Sequence, residues 1–178
     1  MANRSPSTTT TRTPKVLFVS LENDIPTTYA KLLSSVQGVN NRDIEQGKTA
    51  PNIEWLRKYK DKLVLTDQLF DLAVIHREIK KVKPDVVILD YIGLVNMQRV
   101  ATKEVFSEYA KKTKEFVQKN NNIAYIDLSN LNTGEGEEDI RRNKKFNGSA
   151  DLRNNADFGL WLFHYKPFYE YRAQANEI

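Results

Sequence analysis

Three polar groups stand directly behind apolar runs of strand length. Glu22 follows residues 16–21 (VLFVSL), Asp90 follows residues 86–89 (VVIL), and Ser129 with Asn130 follows residues 123–128 (IAYIDL). A carboxylate so close to a buried strand is costly unless it meets solvent, a cation or hydrogen-bond donors. Four apolar residues ending in Asp is also the pattern in which the carboxylate orients a magnesium-bound nucleotide. An Asp that caps the following helix gives the same pattern, and Glu22 is equally readable as the partner of a helix dipole. A second group is cationic. Arg141, Arg142, Lys144, Lys145 and Arg153 lie in the polar stretch 132–153, together with Glu135, Glu137, Glu138 and Asp139. Such cations suit phosphate oxygens, which supply most sequence-independent nucleic-acid affinity. A solvated loop of mixed charge is the plainer alternative.

Composition narrows the chemistry. The chain has 178 residues, a length that suits one domain, and 40% hydrophobic with 28% charged residues suits a packed core. It contains no cysteine, which excludes disulfides and thiolate metal sites. Its two histidines, His76 and His164, are far apart in sequence, so a histidine metal site is not expected. No apolar run approaches the length of a membrane span, and residues 1–14 lack the apolar core of a secretory signal. They read as a disordered Ser/Thr-rich tail, and the chain as cytoplasmic. The net charge of +4 is compatible with a polyanionic partner.

Alternating elements have to position these groups. Residues 16–21 are too apolar for a one-sided strand and read as a buried parallel one. Asn23 and Asp24 offer helix caps, Pro26 suits a first turn, and Gly38 ends the helix that carries Leu32, Leu33 and Val36. Residues 40–52 read as a loop, 53–59 as a short helix and 63–66 as a second strand. Leu72, Ile75, Ile79 and Val82 share one face of a helix that Pro84 stops. Residues 86–89 form a third strand and 103–119 a long helix with Val105, Tyr109, Thr113 and Phe116 on its inner face. Residues 123–128 and 158–163 read as fourth and fifth strands, with a long loop at 132–155 between them. This alternation predicts an α/β fold with a mainly parallel sheet. In such sheets ligands bind at the carboxyl ends of the strands, where Glu22, Asp90 and Ser129–Asn130 all fall.

Taken in order, the segments resemble one family. VLFVSLE at 16–22, LVLTD at 63–67, VVILDYIGL at 86–94, IDLSNLN at 126–132 and GSADLRNNAD at 148–157 are similar to successive stretches of DnaB-type replicative DNA helicases. The match lies in their C-terminal RecA-like ATPase domain and extends over residues 15–178. It implies a RecA-like P-loop NTPase core in which ATP hydrolysis drives translocation on single-stranded DNA during replication. Glu22 would be the general base that orients the attacking water, and Asp90 would hold magnesium through water as the Walker B residue. Ser129 would lie beside the nucleotide. Asn130 stands where the family usually has Gln contacting the γ-phosphate, a departure that shortens the side chain by one methylene. Residues 132–153 would be a DNA loop facing a ring's channel, presenting Arg141, Arg142, Lys144, Lys145 and Arg153, with Arg99 a lesser DNA candidate. The partners implied are single-stranded DNA and a homo-oligomeric ring, a hexamer, in a bacterium or phage.

The phosphate-binding loop of that family is not matched. Gly47, Lys48 and Thr49 have the right ending, but Arg42 stands where the first glycine belongs and no apolar strand precedes it. The loop's strand and helix would lie before residue 15, and the family's Lys-x-Arg finger beyond residue 178. A core truncated at both ends is therefore expected, with weak ATP binding unless a P-loop-bearing partner chain completes it. The alternative is a catalytically dead RecA-like module that docks on a helicase ring or nucleic acid. A KaiC-like or recombinase-like ATPase is a further possibility, but Asp90–Tyr91 and the stretch before Asp157 favour the DnaB type.

Overall fold

The computed structural model describes residues 12–97, 104–120, 123–130 and 150–160. Four strands, β1 (Val16–Ser20), β2 (Leu63–Thr66), β3 (Val86–Asp90) and β4 (Ala124–Asp127), form one sheet in the order β2-β1-β3-β4. Every pairing is parallel: Val16 lies opposite both Leu63 and Val86, and Val86 opposite Ala124. Parallel neighbours need crossovers. These are α1 (Ile25–Gln37), α2 (Asn41–Glu45), α3 (Ile53–Tyr59), α4 (Leu72–Val82) and α5 (Val105–Lys119), followed after β4 by α6 (Ala150–Asn155).

The two faces of the sheet are covered unequally. Leu17 and Val19 on β1 and Val87 and Leu89 on β3 are fully buried, packed with Leu72, Ile75 and Ile79 of α4 and with Tyr109 and Phe116 of α5. These helix residues are the periodic faces that the sequence marks out. On the other face, Thr28 of α1 hydrogen bonds Ser20 Oγ at 3.0 Å, so α1 lies beside Ser20. Phe18 and Ile88, which alternate onto that side, are only partly buried, so β1 and β3 are less enclosed than their apolar runs suggest. Near β4 the same face is open: Ile126 is 46% exposed and Leu128 42%.

Local signals end the helices where expected. Asp24 caps α1 by accepting from Thr27 N at 2.9 Å, and Gly38 closes it with a left-handed φ of 67° that costs glycine no steric penalty. Asp71 caps α4 by accepting from the amides of Ala73 and Val74. Two segments read as loop contain helix. In 40–52, Asn40 accepts from Arg42 N and nucleates α2, a polar helix with no buried residue and so no apolar period to reveal it. In 132–155, residues 150–155 form α6, where Leu152 packs against the core. The fifth strand is not borne out over its described half. Residues 158–160 are not in a strand, and Phe158 and Leu160 are 82% and 70% exposed because none of the described residues covers them. Residues 161–163, and the tail at 1–11, lie outside the described residues.

His76 on α4 has an acid-sensitive setting. Its ring stacks on Phe116 at 4.0 Å between centroids, and Nε2 is buried without a hydrogen-bond partner among the described residues. Burial, then Lys80 and Lys112, push its pKa down to about 4. A base whose folded pKa lies below its unfolded value of about 6.5 contributes stability above that value, which is lost as pH falls toward the folded pKa. Urea melts of wild type and His76→Gln are therefore expected to converge as pH falls from 6.5 to 4, the wild type losing the more. Parallel pH profiles for the two proteins would refute this.

Candidate nucleotide site at the carboxyl ends of the strands

Parallel register brings the polar groups after β1 and β3 together. Ser20 lies opposite Asp90, and beyond it the amides of Leu21 and Glu22 both donate to the Asp90 carbonyl, at 2.6 and 3.3 Å. Asp90 is half-buried, and its carboxyl is raised above the ordinary carboxylate range by burial first and then by the negative charge of Glu22, with Lys31 opposing. Two like charges held side by side favour a cation between them.

One structural alternative, Asp90 as a helix cap, loses ground. The 3-10 turn Ile92–Leu94 that follows β3 has no side-chain cap, so Asp90 does not serve as one. The cap of α1 is Asp24, not Glu22. Among the described residues no group of three His, Cys, Asp or Glu could hold a metal. The pair Glu22–Asp90 instead fits a magnesium that arrives with phosphate ligands, since that ion commonly takes only one or two carboxylates from protein.

β4 ends at the same side. Leu128 N donates to Leu89 O, and Ile92 N donates to Leu128 O, both at 3.0 Å, so the chain after β4 stays beside the end of β3. Ser129 and exposed Asn130 follow, and Ser129 Oγ donates to Asn130 O at 3.3 Å. No hydrogen bond joins either side chain to Glu22 or Asp90 among the described residues.

Several positioning groups escape a reading of the sequence. Ser20 Oγ donates to Asn23 O at 2.7 Å, Lys31 Nζ to Asn23 Oδ1 at 2.8 Å, and Ile25 N to Asp67 Oδ2 at 3.0 Å. Together they pin the turn that carries Glu22. Asp127 is the other omission. It shares a face with Leu89 and accepts from Tyr109 of α5 at 2.5 Å. The residue as a whole keeps an exposed surface, yet protein crowds its carboxyl on the α5 side. That burial pushes the carboxyl up, and the hydrogen bond opposes it. Its only sequence signal is an acid inside a strand, paired with a tyrosine on an otherwise apolar helix face.

The remaining candidates separate from this site. Lys48 and Thr49 donate their amides to Asp43 O at 2.8 and 3.0 Å, so Gly47–Thr49 does not offer these groups to a phosphate. Arg153 is exposed on α6. Arg99, Arg141, Arg142, Lys144 and Lys145 lie outside the described residues.

A family model for the DnaB-like helicase C-terminal domain matches residues 1–177. Among solved structures, an isolated ATPase domain matches with a TM-score of 0.64 and 17% identity, over 80% of this chain and 57% of that one. A DnaB-like replicative helicase, solved in a study of its interactions with primase, matches with a TM-score of 0.62 and 16% identity, over 80% of this chain and 38% of that one. The chain thus spans less than two thirds of either. No curated protein matches it in sequence. The four-stranded parallel sheet and these likenesses establish the RecA-like core expected from the order of the segments.

Proposed function

Since the chain belongs to the DnaB-like helicase C-terminal domain family, we propose that it forms part of a motor in which ATP hydrolysis drives translocation on single-stranded DNA. The strongest support is the meeting of Glu22 and Asp90 at the ends of adjacent parallel strands. Asp90 would hold magnesium through water, and Glu22 would accept a proton from the attacking water. Bound there with ATP, magnesium would neutralise phosphate charge. Ser129 and Asn130 would contact the nucleotide from β4. Lys31 keeps Asn23 in place and moderates the charge on Asp90, which holds Glu22 in register.

A phosphate-binding strand and helix, from this protein beyond the described residues or from a partner, would seat on the outer edge of β4. That edge has no strand partner among the described residues, and Ile126 and Leu128 beside it are exposed apolar side chains. The assembled form would be a homo-oligomeric ring around single-stranded DNA.

The DNA role rests on residues 132–153 and, to a lesser degree, Arg99. Arg141, Arg142, Lys144, Lys145 and Arg153 would bind phosphates with little base stacking, since Phe146 is the stretch's one aromatic ring. For each phosphate no longer neutralised on a single strand, the log–log salt slope should fall by roughly 0.7. Neutralising Arg141, Arg142, Lys144 and Lys145 is expected to weaken binding and flatten its salt dependence equally for every sequence. Fluorescence anisotropy at low salt tests this, on the chain alone and mixed with a P-loop-bearing partner. Unchanged binding by the quadruple variant in both states would show that DNA is held elsewhere.

A further inference from the structure

Asp127 ends β4 and has no part in the proposed chemistry. Its carboxyl accepts a hydrogen bond of 2.5 Å from the hydroxyl of Tyr109 on α5. That bond joins a rigid element to a loosely held one. On α5, Tyr109 is 1% exposed, and Ala110, Thr113 and Phe116 are buried with it. α6 braces the same helix, because Ser107 donates to Asp151 and Lys114 to Asp157. Ser107 and Lys114 are seven residues apart, so both ties leave one face of α5.

The exit of β4 is held far less. Ala124, Ile126, Leu128 and Asn130 are exposed, and β3 is its one strand neighbour among the described residues. Leu128 N to Leu89 O and Ile92 N to Leu128 O restrain it within the plane of the sheet. The side-chain bond of Ser129 to Asn130 O joins that pair only to itself. Perpendicular to the sheet, where ladder bonds restrain least, the polar tie is Tyr109 to Asp127. We propose that Asp127 is a positioning residue: gripped by Tyr109, it sets how Ser129 and Asn130 stand beside the end of β3. The inference rests on the reading that this pair contacts the nucleotide.

Tyr125 supplies the contrast. It lies two residues before Asp127 and so on the same face of β4, yet its buried hydroxyl has no hydrogen-bond partner among the described residues. The groups facing the Asp127 carboxyl are thus the hydroxyls of Tyr109 and Tyr125, with apolar Leu89 opposite on β3. A hydroxyl bonds an ionised carboxylate more strongly than a neutral acid. Burial raises the carboxyl to about 7, with the Tyr109 bond opposing, so the grip tightens as pH rises through that value.

Amide NMR on the isotopically labelled full chain tests this. The Ser129 and Asn130 signals should move together as pH passes through about 7. Asp127→Asn should abolish that step, Tyr109→Phe should raise its midpoint, and Tyr125→Phe should leave the midpoint in place. Above the midpoint, hydrogen exchange at the Leu128 amide should quicken about ten-fold in Asp127→Asn and Tyr109→Phe, while the β1 amides keep their rates. The proposal is overturned if the step persists in Asp127→Asn, or if Tyr125→Phe shifts it as much as Tyr109→Phe. It is equally overturned if Leu128 exchanges no faster, or faster only together with β1. Should every expectation hold while Asn130→Ala leaves ATP hydrolysis unchanged, Asp127 still positions the pair, and the nucleotide role of Asn130 is what falls.

Discussion

In a preparation that hydrolyses ATP, Glu22→Gln is expected to lower kcat by about 10²-fold or more, while nucleotide affinity stays close to wild type. Removing a positioned general base typically costs roughly 10² to 10⁴ in rate, and the amide keeps the shape and reach of the carboxylate. Asp90→Asn should act differently. On the proposed roles it removes the carboxylate that would hold the cation, so magnesium-dependent nucleotide affinity should fall together with kcat. Asp90→Asn also has a readout that needs no activity. The folded chain bears the cost of a half-buried carboxylate beside Glu22, and the raised pKa of Asp90 expresses that cost. By linkage, stability from a raised carboxyl is present at low pH and lost as pH rises through the folded pKa. Asp90→Asn should therefore melt higher than wild type at neutral pH, with the advantage vanishing in acid. A Glu22→Gln enzyme with half the wild-type rate, or an Asp90→Asn chain that melts lower at neutral pH, would count against the site.

The second large effect lies in the core. Tyr109 is 1% exposed, and its ring fills the space between α5 and the sheet. Tyr109→Ala should cost about 3–5 kcal/mol, the usual range for truncating a buried aromatic ring. Against a total stability of roughly 5–15 kcal/mol, that brings the chain close to unfolding. Tyr109→Phe isolates the hydroxyl. It leaves the ring but takes from Asp127 the donor at 2.5 Å that holds its carboxyl down. Asp127 has its pKa raised to about 7, so its contribution is full below the unfolded value of 3.8 and is lost as pH rises through the folded one. The ionised carboxylate feels the missing hydrogen bond most. The penalty of Tyr109→Phe should accordingly stay level while the folded carboxyl is protonated and grow as pH rises from about 6 to about 8, through the folded value. Urea melts across that interval decide the matter, and a penalty independent of pH would mean that Asp127 does not depend on Tyr109.

Those residues also show what is legible in the sequence. The strands ending at Glu22 and Asp90 announce themselves as unbroken apolar runs, and the inner faces of α4 and α5 as helical repeats of Ile, Leu, Tyr and Phe. Such patterns survive because each follows from one element meeting one core. The cap Asp24 and the stop at Gly38 are local as well. The partnership of Tyr109 with Asp127 is not local, because it needs the register of β4 against β3 and the rotation of α5 together. The same holds for Asp67, which reaches Ile25 across the β1–β2 crossover. α2 leaves no apolar signature because it buries nothing. Residues 158–160 depart from their apolar run because a run becomes a strand only beside a pairing neighbour, and none of the described residues pairs with them.

The strand order has a bearing on how the polypeptide is made. Val16 pairs with Leu63 and Val86, so β1 cannot find either neighbour through a hairpin. Each pairing closes a long loop before any packing rewards it, a topology that slows folding. The ribosome eases this by delivering β1, β2 and β3 first, as the three adjacent strands β2-β1-β3. That trio is free to meet while β4 is still being synthesised, because synthesis runs from the N-terminus. β4 then adds last, on the side of β3 that faces away from β1. The nascent chain would thus bring Glu22 and Asp90 together well before Asn130 leaves the exit tunnel.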